Sequence, residues 1–155
     1  MGKTRRTIPF IVVMVLALAF VPLGASADGI YHSEHIALMP AGSQPLRSGF
    51  VENIHANGPV VFAQERYVLN GASPLTTYQV ALSIWIGNTA CTGAPSVVLP
   101  TTSFSTNVAG NGVGRARFSP SDADGLHGLT IGIVWTLSSG GTVAYQTACT
   151  DVTLD

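Results

Sequence analysis

Past residue 27 this 155-residue chain has no lysine, and its only basic side chains there are Arg47, Arg66, Arg115 and Arg117. All eight acidic residues lie in that same stretch, which carries a net charge of −4 with histidine neutral. A nucleic-acid partner needs a basic stripe to displace counterions from phosphates, and none is present. An anionic membrane surface is disfavoured on the same ground. Charged residues make up only 10% of the chain, so solubility rests on Ser, Thr, Asn and Gln. Helical periodicity is missing as well: Gly and Pro recur, and apolar residues alternate at period two.

Catalytic signatures are equally scarce. No serine sits in a Gly-x-Ser-x-Gly elbow, and nothing local places a nucleophile beside a base. Asp122 and Asp124 stand at alternate positions before Gly125, as in calcium loops, but the terminal Glu of such a loop is missing. A capped turn is the better expectation there.

The one long apolar run, from about Ile8 to Val21, follows the basic start Lys3, Arg5 and Arg6 and is bracketed by Pro9 and Pro22. It is shorter than the about 20 residues needed to span a bilayer. Ala25-Ser26-Ala27 then supplies a small-x-small cleavage pattern. Residues 1–27 therefore read as a secretory signal peptide, cut between Ala27 and Asp28. No cysteine lies at the cut, so no lipid anchor is expected there. The expected product is secreted, extracellular and without a membrane span after cleavage. An oxidising compartment suits a disulfide between the two cysteines, Cys91 and Cys149.

Strands follow from the alternation. Tyr78, Val80, Leu82, Ile84 and Ile86 share one face of a strand from Thr76 to Ile86, with Trp85 on the other, more polar face. Leu129 to Leu137 repeats the pattern with Ile131, Ile133 and Trp135. Asn111-Gly112 signals a hairpin between strands near Thr102–Val108 and Val113–Ser119, with Arg115 and Arg117 pointing together to solvent. Leu46–Ile54 and Pro59–Leu69 read as two more strands, joined at Asn57-Gly58. A last strand, Thr142 to Leu154, changes phase between Tyr145 and Val152, which calls for a bulge near Cys149.

The expected fold is thus all-β: a single antiparallel two-layer β-sandwich over residues 45–155, of about seven strands. Residues 28–44, polar and punctuated by Gly and Pro, are expected to form a loosely packed N-terminal arm. In outline the plan resembles immunoglobulin-like and superoxide-dismutase-like sandwiches, and no residue-level motif assigns either family. Its topology is expected to be immunoglobulin-like or related.

Three groups of residues bear on chemistry. His32, Glu34 and His35, with His55 further on, could hold copper or zinc if a turn brought them together. Glu65 has the inward parity of Val61, Ala63, Tyr67 and Leu69, an odd place for a carboxylate. A structural ion pair with Arg47 or Arg66 would explain it, and convergence with Glu52 would instead suggest a hydrolase. Trp85 with Arg115 and Arg117 forms a candidate binding surface. The leading expectation is a secreted, non-catalytic binding or envelope-associated module with no cofactor. Its ligand would be a protein, a glycan or a small molecule. A small metal-binding protein and a secreted hydrolase are the alternatives.

Overall fold

The structure is a computed structural model that describes residues 32–55 and 61–154. The expected signal peptide with its cleavage site, and the Asn57-Gly58 turn, lie outside the described residues. The described residues form nine antiparallel strands: β1 (His32–Pro40), β2 (Ser48–His55), β3 (Ala63–Asn70), β4 (Thr77–Ile86), β5 (Val97–Ser105), β6 (Gly112–Phe118), β7 (Thr130–Ser139), β8 (Thr142–Thr147) and β9 (Thr150–Thr153). They hydrogen-bond in the order β5-β4-β7-β8-β1-β2-β3-β6, with β9 also on β7. The result is the expected all-β, two-layer fold. One layer is β2-β3-β6, the other β5-β4-β7 with β8 and β9.

β1 joins the layers, so residues 32–40 of the expected loose arm form a paired strand. Its first half pairs with β2 (His32↔His55 through Ala37↔Phe50) and its second half with β8 (Leu38↔Thr147 through Pro40↔Tyr145). Ile36 and Leu38 are buried. A strand that changes partners midway has no single patterned face, and prolines and polar residues at its ends hide it in the sequence.

The final strand breaks where its phase changes. On β7, Thr136 faces Gln146 while Ile133 faces Thr150, so the last strand carries one extra residue across Ala148 and Cys149. Cys149 bonds to Cys91 across a separation of 58 residues. That bond ties the Gly87–Ser96 loop down over β7. A Cβ on Gly132 would lie 2.5 Å from the Asn88 carbonyl and 2.9 Å from Cys91 Sγ, so only glycine fits beneath the loop.

The core lies between the layers. Val51, Tyr67, Leu69, Tyr78, Ile131, Trp135 and Leu137 are essentially inaccessible. The two ends of the strand path, β5 and β6, lie side by side, yet no ladder joins them among the described residues. At one end they are held together by Phe104 of β5, whose ring lies against Gly112 and Gly114 of β6, where a side chain would collide with it. Toward the other end no such ring bridges the strands, and Val97, Val98 and Leu99 of β5 stay exposed.

Candidate functional site

Alternation on β2 and β3 aims Asn53, His55 and Glu65 into the space between the layers, and all three are buried. Burying polar groups among apolar ones is unfavourable unless they are hydrogen-bonded. Glu65 meets that condition across the fold. Trp135 Nε1, from the opposite layer, donates to Glu65 Oε1 at 2.8 Å, and the Tyr67 hydroxyl donates to Oε2. Tyr67 also touches Thr101 Oγ1 at 3.2 Å, and that hydroxyl reaches the Val80 carbonyl at 3.4 Å. Thr101 is the extra residue of a bulge on β5, because Val80 faces Thr102 whereas Ala81 faces Pro100. The bulge turns its hydroxyl inward. Asn53 Nδ2 and His55 Nε2 lie 3.0 Å apart beside this network.

Burial pushes the Glu65 carboxyl up to about 7, although the Tyr67 and Trp135 donors pull it down. Burial, with the neighbouring Glu65 charge, pushes the Tyr67 hydroxyl far above its ordinary range. Glu65 therefore changes charge near neutrality inside the fold.

Asn53, His55 and Glu65 line a cavity of about 70 Å³ whose other walls are mostly apolar, among them Leu82, Ile84, Leu99, Phe118, Ile131 and Ile133. Leu99 of β5 and Phe118 of β6 both line it, so the cavity reaches the seam between these two strands. Leu99 and Val97 face inward, opposite buried Leu82 and Ile84, yet remain 37% and 48% exposed. Beside the cavity stand half-buried Phe118 and Leu126 and a short helical turn, Pro120–Ala123. Asp122 on that turn accepts from the Ser119 amide at 2.7 Å and its hydroxyl at 2.8 Å, which hold its carboxyl below the ordinary range. The Asp122–Gly125 segment is thus the capped turn expected. Phe62 meets His55 and His127 edge-on, at centroid distances of 5.8 and 5.1 Å. A second depression of about 270 Å³ at the other end of the layers offers hydroxyls from Ser73, Thr76 and Tyr78, and no buried acid.

The structure scatters the other candidates. His35 lies on the outer face, stacked on Phe50 at 4.8 Å and 3.2 Å from Glu52 Oε1. Glu34, one residue away, has the opposite parity, and His55 is inside. His32 sits opposite His55 in the β1–β2 ladder. The described residues hold no group of three His, Cys, Asp or Glu placed to share a metal ion. Glu52 faces outward, 3.7 Å from Arg66, so it cannot act with Glu65 inside. The ion pair expected for Glu65 is replaced by Tyr67 and Trp135.

Trp85 is less exposed than a surface aromatic would be. It does lie on the outer face of β4, but it is only 9% exposed, and its Nε1 donates to the Gly93 carbonyl at 3.1 Å under the disulfide-tied loop. It packs beneath that loop, so little of its ring is open to solvent. Arg115 and Arg117 are exposed, and register places Arg115 directly opposite Arg66 on the outer face. No carboxylate among the described residues is bonded to Arg115 or Arg117. Sequence reasoning missed the unladdered seam and the partners of Glu65; the inward parity of Glu65 was the one signal pointing there. Among the described residues no helix is long and apolar enough to cross a membrane. No protein-family model, curated protein or solved structure matches this chain.

Proposed function

We propose that this chain is an exported, non-catalytic binding module that grips its ligand by an apolar group seated in the cavity beneath the β5–β6 seam. The observation that carries this reading is the exposure of Val97 and Leu99. Both side chains have inward register and remain open to solvent, and Leu99 itself lines the mostly apolar cavity. Ligand sites are concave and mostly apolar, with a few polar groups fixing orientation, and Glu65, His55 and Asn53 supply those groups here. A cavity of about 70 Å³ suits one side chain or the end of a chain and not a whole cofactor, so most of the ligand lies outside it. Glu65 already serves Tyr67 and Trp135, which favours binding over acid–base turnover. Export is supported by the leader-like first 27 residues and by the disulfide.

Xenon tests the cavity directly, because apolar cavities that stay dry take it up. Under xenon pressure, carbon-13 methyl signals of Leu82, Ile84, Leu99, Leu126 and Ile131 are expected to shift. Ala63→Leu, which fills the cavity, should abolish the shifts while the disulfide-bonded fold persists. Unmoved methyl signals at those five residues would refute the reading.

A further inference from the structure

We infer that the ligand is an extended segment of a partner protein that adds as a strand along the unladdered seam, with apolar side chains turned inward and acidic ones outward. This rests on the cavity being a binding site and names what enters it.

The backbone supplies the first argument. β5 and β6 end the strand path, so each presents unladdered N–H and C=O groups along one edge. Exported proteins that stay apart usually blunt such edges with charge, proline or a bulge. β5 does this only at Pro100 and Thr101. Its first three residues, Val97, Val98 and Leu99, are apolar on both faces and 48%, 57% and 37% exposed. An edge left so open is an association site by construction. An added strand reads such an edge through main-chain hydrogen bonds and takes specificity from pockets under alternate side chains. The cavity beside Leu99 and Phe118 lies where such an inward side chain would point.

Charge supplies the second argument. A guest strand beside β6 places its outward side chains next to Arg115 and Arg117, which are exposed and bonded to no carboxylate among the described residues. Arg66 stands opposite Arg115, so three of the four arginines past residue 27 share this face. Like charges facing each other across strands repel, and acidic guest side chains relieve that repulsion. A second copy of this chain fits less well, because its own β5 edge brings Val97–Leu99 and no acid.

The test uses the mature, disulfide-bonded protein and two synthetic peptides of one composition. One alternates, acetyl-Glu-Val-Glu-Leu-Glu-Val-Glu-amide; the other is sorted into an acidic and an apolar block. Binding is read by nitrogen-15 shifts and by amide hydrogen exchange. The alternating peptide should slow exchange at Val97–Leu99 and Ala116–Phe118 and bind at least about tenfold more tightly than the sorted one. The double substitution Arg115→Glu with Arg117→Glu should weaken it by about tenfold or more, with an unchanged far-ultraviolet spectrum. Equal binding of the two peptides would overturn the inference in favour of simple attraction of any acidic chain. Protection of the seam on raising protein concentration alone would overturn it in favour of self-association. If neither peptide binds while xenon still enters the cavity, the strand inference falls and the cavity reading stands.

Discussion

Glu65 gives the sharpest handle on the interior. Its carboxyl rises from 4.5 to about 7 on folding because burial removes it from water. Between those values the folded protein holds a proton that the unfolded chain releases, so stability falls as pH rises. The contribution is fully present below about pH 4.5 and has been lost once pH passes about 7. A shift of this size corresponds to about 3 kcal/mol, at about 1.4 kcal/mol per pH unit. Glu65 is only 2% exposed, so solvent does little to screen it. The perturbation is Glu65→Gln, which keeps the shape and removes the titration. Below pH 4.5 the two proteins should agree within about 1 kcal/mol, the size of one altered hydrogen bond. By pH 8 the variant should have gained about 3 kcal/mol relative to the parent. Urea unfolding with the disulfide intact, at steps from pH 4.5 to 8.5, measures this difference, and other titrating groups cancel in it. A difference between the two proteins that stays constant across the range would show that folding does not shift the Glu65 carboxyl.

Other parts of the fold are equally open to test. Replacing Cys91 and Cys149 by alanine should cost about 4 kcal/mol, from the 58-residue separation that the bond closes. It should also free the loop over Trp85 and red-shift tryptophan emission; an unchanged denaturation midpoint would count against the disulfide as a main staple. Gly114→Ala drives a methyl group into the Phe104 ring and should destabilise by about 1–3 kcal/mol. Adding Phe104→Leu should recover part of that loss, and purely additive losses in thermal melts would show that the ring is not what closes that end of the seam.

Much of the fold was legible because two-residue alternation survives wherever a strand buries one face. β2, β3, β4, β6 and β7 lie close to the strands expected over Leu46–Ile54, Pro59–Leu69, Thr76–Ile86, Val113–Ser119 and Leu129–Leu137. The phase change between Tyr145 and Val152 announced the irregularity at Cys149. β1 was hidden because it serves two layers in turn. The first half of β5 was hidden because Val97, Val98 and Leu99 run together without alternation, and Pro100 reads as a break. Trp85 was placed on the correct face of β4, but its cover comes from a loop whose position depends on the distant Cys149. Likewise the inward parity of Glu65 was readable, whereas its partner Trp135 stands 70 residues away and in the other layer. Local pattern reports faces; it does not report what the opposite layer brings to them.

The two layers are unladdered along β5 and β6, beside the cavity. Residue-by-residue amide hydrogen exchange of the free protein tests it most directly. Fast exchange is expected for the amides of Val97–Leu99 that face β6, against slow exchange in the β4–β7 ladder, at Leu82 and Ile133. Uniformly slow exchange along β5 from Val97 to Ser105, at dilutions that leave the protein a monomer, would contradict it.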